Sequence, residues 1–363
     1  MKTLILFAAL SLPLGVPGAE PAAPSPLCID NVCAAETPRQ DAIKWHPGHY
    51  MLVFRGDSHS TVMTQRIPEV CRESALQGIE YRADWFSLEP SRGTYDFTKI
   101  DQMYDALAAC GKRLVLEVWA VEFGTKISSN IVPAYIQGAS EFNGGVAKTK
   151  TGFIARLWET PVMDRLLAVY SALGSRYDKR PYFEGIVFTE TATSGVQAGY
   201  TGTAWVAQLK RAAPAMHAAW PNTNILFFNN FIQGSTETQQ ADFIATLRAN
   251  RAGTGGPDVL PPPANVLSER IYRGETGGQD LRGLMPAMYA VQTPELGGKE
   301  GTYGPAELYD HCVGTNRCSH MFWIRNTTKG GAAQQWDTGI LPFLRAHPDT
   351  VATCPASYRG CAK

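Results

Sequence analysis

The stretch Gly185-Ile186-Val187-Phe188-Thr189-Glu190-Thr191-Ala192 has the clearest capacity for chemistry in the chain. Three apolar residues in a row predict a strand covered on both faces. A carboxylate stands at its C-terminal end, followed by the hydroxyls of Thr191, Thr193 and Ser194. In parallel α/β folds, ligands bind just beyond the carboxyl ends of the strands. A glutamate there is either an ionisable group facing a ligand or a buried charge needing a partner, and the second is costly. On the first reading, Glu190 is the group that the other elements must position.

Those elements follow a rhythm that sets in at His49. Short apolar runs alternate with longer stretches of helical periodicity, the mark of repeated βα units around a parallel sheet. The predicted strands are 49–54, 79–85, 113–119, 185–190, 224–231, a sixth, 285–292 and 320–325. Helices are expected near 66–77, 97–110, 161–177, 203–220, 237–249, 305–312 and 336–346, with a long loop over 122–153. The sixth strand has the faintest signal; 255–259 is preferred to 266–268 because it lies closer to the preceding helix. Eight such units make a (β/α)8 TIM barrel. A doubly wound open sheet is the alternative, but no Gly-x-Gly-x-x-Gly follows the first strand and there is no Walker A loop.

Composition narrows the class. The 363 residues are 44% hydrophobic, enough for a large core, and 33 basic residues balance 33 acidic ones. No basic stripe points to nucleic acid. Residues 1–19 combine Lys2, an apolar run from Leu4 to Leu14, and small residues at 16–19, which reads as a signal peptide too short to span permanently. A Pro- and Ala-rich arm over 20–45 and a barrel over 46–363 are expected to follow. The protein is therefore expected to be secreted or periplasmic, monomeric, and without a membrane span. Export makes disulfides the natural reading of the eight cysteines. Local pairs are expected: Cys28–Cys33, Cys71–Cys110, Cys312–Cys318 and Cys354–Cys361, among 105 arithmetically possible connectivities.

The predicted strand ends gather a polar and aromatic set: Arg82, Asp84 and Trp85; Glu117, Trp119 and Glu122; Glu190; Asn229 and Asn230; Asp258; Tyr289, Gln292 and Glu295; Trp323 and Arg325. Aromatic rings stack on sugar faces, amides and Arg bind hydroxyls, and two carboxylates can cleave a glycosidic bond. Each has a plainer alternative. Glu89 is expected to bond the loop entering the second helix, and Arg82 to neutralise Glu117 or Glu190. Asp258 fits a turn residue in Gly-Gly-Pro-Asp, Glu269 a solvated helix position, and Trp119 and Trp323 core positions. The scattered His residues, and Ser87 and Ser194 outside any Gly-x-Ser-x-Gly, give no triad, metal site or cofactor.

The run Tyr81-Arg82-Ala83-Asp84-Trp85-Phe86-Ser87-Leu88-Glu89-Pro90-Ser91-Arg92-Gly93-Thr94-Tyr95-Asp96-Phe97 resembles the second-strand segment of clan A glycoside hydrolases, notably the β-galactosidase-like and cellulase-like barrels. There a Trp, then Leu-Glu-Pro, then Gly-x-Tyr-Asp-Phe leads into the second helix. Ile100-Asp101 and Cys110-Gly111-Lys112-Arg113-Leu114-Val115-Leu116 look similar too, so the likeness covers about 67–119. The resemblance implies that Glu190 is the acid/base, that Arg82 lies beneath the reacting sugar, and that Trp323 floors the same subsite. Two positions depart from the pattern: Thr189 precedes Glu190 where the clan has Asn, and the seventh strand ends in Gln292 where the clan has a nucleophilic Glu.

An amide cannot attack an anomeric carbon as a carboxylate does. Either Glu295 reaches in, or the second carboxylate comes from Glu122, Asp258 or Glu269, or hydrolysis has been lost and sugar binding kept. The expected function is thus an exported glycoside hydrolase acting on an oligo- or polysaccharide, with catalytic candidates Glu190, Glu122, Asp258 and Glu295. Arg82, Trp85, Trp119, Asn229, Asn230, Tyr289, Gln292 and Trp323 are the substrate-binding candidates. A carbohydrate-binding pseudoenzyme on the same barrel is the alternative.

Overall fold

The computed structural model describes residues 28–29, 32–33, 42–53, 57–123, 131–193, 195, 199–292, 296–298, 301–325 and 331–363. The chain separates into two units, Met1–Pro38 and Arg39–Lys363. In the first, Cys28–Ile29 and Val32–Cys33 form a two-residue antiparallel ladder. The signal-peptide reading, Ser194 and Glu295 lie outside the described residues, and the Cys28–Cys33 pairing outside the described side chains.

The second unit is a closed barrel of eight parallel strands. In chain order these are β1 (Gly48–Val53), β2 (Leu76–Asp84), β3 (Arg113–Trp119), β4 (Phe183–Phe188), β5 (Asn224–Phe228), β6 (Ala252–Gly256), β7 (Ala287–Val291) and β8 (His320–Ile324), and β8 pairs back onto β1. Helices α1 (Ile67–Arg72), α2 (Thr98–Ala108), α3 (Thr160–Tyr177), α4 (Gly202–Ala219), α5 (Glu237–Ala249), α6 (Leu267–Tyr272), α7 (Pro305–Tyr309) and α8 (Leu341–Ala346) surround it. The expected TIM barrel is the observed fold. α3 shows how a helix is held: Val162, Leu166, Val169, Tyr170, Leu173 and Tyr177 recur at helical spacing and are buried. No helix among the described residues is long and apolar enough to cross a membrane.

Three expectations about elements are corrected. Helical structure before β2 begins at His59, where the Ser58 hydroxyl accepts from the Thr61 N–H, and ends at Arg72, so β2 starts at Leu76. The sixth strand is Ala252–Gly256, shifted from 255–259, while Val266 stands at the start of α6. β6 lacks the β-branched signature because it approaches β7 closely; a Cβ on Gly255 would lie 1.6 Å from the Met288 carbonyl oxygen. The loop over 122–153 carries a three-stranded antiparallel sheet, Val121–Phe123, Gly152–Ala155 and Val146–Lys148, whose hairpin turn is closed by Thr149 N–H donating to Gly152 O.

Three of the four expected disulfides are present. Cys71–Cys110 ties α1 to the end of α2, Cys312–Cys318 closes the segment before β8, and Cys354–Cys361 clips the tail. The tail runs under the barrel: Cys361–Ala362 pairs in parallel with Ile43–Lys44, and Tyr358 donates its hydroxyl to Asn224 Oδ1. Beneath β4, Glu184 accepts from His46 N–H at 2.7 Å, His46 Nδ1 at 2.8 Å and Asn224 Nδ2 at 2.9 Å, with His320 Nε2 at 3.4 Å. This sealed floor leaves the opposite end of the strands for a site.

Candidate active site

Strand alternation decides which side chains enter the barrel. Along β2 the inward set is Glu80, Arg82 and Asp84, and on β3 it includes Glu117 and Trp119. Arg82 forms an ion pair with Glu117 at 2.7 Å and approaches Glu80 at 3.6 Å, all three side chains fully buried. Its guanidinium lies 5.0 Å from the Trp119 ring and 5.8 Å from that of Phe228. Burial pushes Glu80 up to about 7 and Glu117 well above the usual carboxylate range, with Arg82 pulling the other way. Arg82 stays charged because the surrounding carboxylates outweigh its desolvation.

Glu190 stands above this cluster, two residues past the end of β4 and 7% exposed. Asn230 donates its amide Nδ2–H to Glu190 Oε1 at 2.6 Å. The backbone around it is pinned: Thr191 N–H donates to Phe228 O, Thr191 Oγ1 bonds Asn230, and Trp205 Nε1–H donates to Thr191 O. Burial first, and then the negative charge of Asp258, push the Glu190 carboxyl up to about 8; the Asn230 bond and the Arg82 charge hold it from going further. At neutral pH Glu190 is a protonated acid, fixed on a rigid strand end.

Asp258 lies on the half-buried turn after β6. Gln292 donates Nε2–H to Asp258 Oδ1 at 2.9 Å and to Pro257 O at 2.8 Å, and its Oε1 accepts from Arg82 Nη1 at 3.0 Å. So the mouth brings together Glu190, Asp258, Arg82, Gln292, Asn230 and Trp119. Asn229 neighbours them; its backbone accepts from Ser268 Oγ, and its buried amide makes no hydrogen bond among the described residues.

Other sequence candidates fall elsewhere. Tyr289 has the opposite parity to Gln292 and sits among α6 groups, where Glu269, Tyr272 and Arg273 act on its hydroxyl. Trp323, likewise opposite to the inward Phe322, is fully buried and donates its indole N–H to His49 Nδ1 at 3.1 Å. Trp85 is buried in the helical turn Trp85–Leu88, its indole N–H on Glu89. These three are removed from the substrate-facing set. Glu122 lies half-buried in the short sheet after β3, opposite Phe153. Glu269 is not solvated: it is buried against Arg273 at 3.1 Å and His311 at 3.2 Å. Glu89 does bond the loop entering α2, accepting from Gly93 N–H and pairing with Arg165.

Sequence reading missed Glu80, whose signal was the alternation of charge through Glu80, Arg82 and Asp84. It also missed Phe231, directly after Asn230 and 43% exposed, the exposed large apolar side chain among the described residues.

No protein-family model matches the chain, and no curated protein does. Solved structures do. The catalytic domain of a beta-amylase from Paenibacillus polymyxa matches with a TM-score of 0.55 over 78% of this chain and 93% of its own, at 9% identity. Endo-glycoceramidase II from Rhodococcus sp. gives 0.53 over 84% and 80%, at 11% identity. A beta-galactosidase from the psychrophilic Marinomonas ef1 gives 0.52 over 83% of this chain and 58% of that chain, at 8% identity. At such identities the likeness is one of fold, and these glycoside hydrolases share the barrel found here.

Proposed function

We propose that the protein is a glycoside hydrolase that cleaves an O-glycosidic bond of an oligo- or polysaccharide, with Glu190 as proton donor and Asp258 as its ionised partner. The observation that carries this is the environment of Glu190: a buried carboxyl at a barrel strand end, held protonated to about 8, with a second acid close enough for its charge to act. Two carboxyl groups in one pocket, one of them holding a proton at neutral pH, are what glycosidic cleavage uses.

Glu190 donates its proton to the leaving oxygen as the bond from the anomeric carbon breaks. Asp258 faces the positive charge that develops on the sugar ring and takes the proton of the attacking water, whose hydroxyl completes the new hemiacetal. Asn230 holds Glu190 in place, and Gln292, itself bonded by Arg82, holds Asp258. Export of the chain, with removal of 1–19, belongs to the same reading; the three disulfides support it, because such bonds persist in oxidising compartments.

Gln292, standing where the resembled enzymes carry a nucleophile, favours a second reading in which sugar is bound but not cut. Release of reducing ends from a panel of polysaccharides at pH 6–7 decides between them. Glu190→Gln should lower cleavage about 10²–10⁴-fold with no loss of melting temperature. Retained activity in that variant removes Glu190 from the mechanism, and binding without any cleavage by the wild type establishes the second reading.

A further inference from the structure

We infer that Gln292 is a positioning residue that moves the second catalytic carboxylate from the end of β7 to Asp258 after β6, binding Asp258 with one end of its amide and Arg82 with the other. This rests on Glu190 and Asp258 being the catalytic pair.

The orientation of the amide is set by what surrounds it. Arg82 offers only donors, so it must face Oε1; Pro257 O and the Asp258 carboxylate only accept, so they must face Nε2. Both N–H groups of the amide are thereby used, one on the turn backbone and one on the carboxylate, which fixes Asp258 and the peptide that carries it. Arg82 also strengthens the link. A charged donor on Oε1 polarises the amide and makes Nε2–H a better donor to Asp258. Through Gln292, the positive charge held between Glu80 and Glu117 thus reaches across the mouth from β2 to the turn after β6.

A glutamate at 292 would undo this. Its carboxylate oxygen would stand where Nε2 stands, 2.9 Å from Asp258 Oδ1 and 2.8 Å from Pro257 O. Two carboxylates that close cannot both ionise, so one would hold a proton. Amide at 292 and ionised carboxylate at 258 therefore go together: Gln292 accompanies a relocated acid and does not mark a lost one.

The test compares full-length wild type with Gln292→Met, which has the shape without the hydrogen bonds, and Gln292→Glu. Two readouts are taken: the pH profiles of kcat and kcat/KM on the cleaved glycan, and the titration of the Asp258 carboxyl by ¹³C NMR, assigned with Asp258→Asn. Both variants should lose about ten- to a hundredfold in kcat, as a misplaced catalytic group does, with KM changed less than about threefold. The acidic limb of kcat/KM and the Asp258 titration should rise together by about one pH unit in Gln292→Met, and further in Gln292→Glu. An unmoved Asp258 titration overturns the inference, as does a raised KM with kcat kept, which would put Gln292 on the substrate. Higher activity in Gln292→Glu also overturns it, since the amide would then stand for a missing nucleophile. A wild type that cleaves no glycan sinks the reading of function, while a shifted Asp258 titration in the same samples still upholds the Gln292–Asp258 link.

Discussion

The floor and the mouth of the barrel each hold a buried glutamate carried by β4, and the two are poised on opposite sides of neutrality. Burial pushes both carboxyls up. At Glu184 the bonds and charges of His320 and His46 more than offset it and bring the group down to about 2. At Glu190 a single amide donor faces burial plus the negative charge of Asp258, and the group ends at about 8. The difference is one of donors, not of depth. A carboxylate with a full set of N–H partners acts as a structural anion; one left with a single partner beside another acid becomes a reservoir for a proton.

The largest effect should come from taking the charge off the floor. Glu184→Gln keeps the shape but turns an NH₂ towards the donors of His46 or Asn224. Breaking a buried, fully bonded anion costs about 3–5 kcal/mol, so calorimetry should show a melting temperature lower by roughly 10 °C. Glu190→Gln replaces a neutral acid by a neutral amide and should not lower that temperature; at neutral pH it should raise it, because the unfolded chain no longer gains by ionising residue 190. Equal losses in the two variants would erase the distinction between the ends of β4.

Dependence on pH sharpens the same contrast. Glu184 titrates lower in the folded protein than its ordinary 4.5, so its contribution is complete above 4.5 and is lost as pH falls from there to about 2. It is worth about 3 kcal/mol. Glu190 titrates higher, so its contribution is complete below 4.5 and is lost as pH rises through about 8. Cleavage should fail over the same alkaline range as the donor proton leaves. Melting temperatures across pH should therefore show a dome whose acid limb flattens in Glu184→Gln and whose alkaline limb flattens in Glu190→Gln. The opposite assignment of limbs would show the two environments to be misread.

How much of this was legible depended on whether a residue announced itself locally. Glu190 did, because an apolar run ended in a carboxylate, and so did Arg82 near the end of β2 and Asn230 past the end of β5. Trp323 and Tyr289 stand near strand ends, but strand alternation turns them outward, away from Phe322 and Gln292, and nearness to an end does not carry that information. β6 was displaced because its Ala-Gly-Thr-Gly-Gly composition answers a close approach by β7, which no local pattern reveals. Glu184 passed unnoticed since its partners, His46, Asn224 and His320, come from three distant segments that only the closed barrel gathers. The pairing of Gln292 with Asp258 is of the same kind: the substitution was visible, and its compensation lay on the next strand.

The smallest expected effect concerns the aromatic residues at the two ends. On the floor they are covered, as Tyr50 is, stacked 5.5 Å from His320. At the mouth Phe231 is 43% exposed and follows directly on Asn230, which holds the acid. A ring left in water next in the chain to the partner of the proposed acid suits stacking on a sugar face. Phe231→Ala should raise KM for the cleaved glycan about three- to tenfold, equivalent to roughly 1 kcal/mol of stacking, with kcat and melting temperature unchanged. Phe231→Trp should restore or improve KM, since any flat ring can serve. A loss of thermal stability with KM intact would instead make Phe231 a packing residue and leave the mouth without its platform.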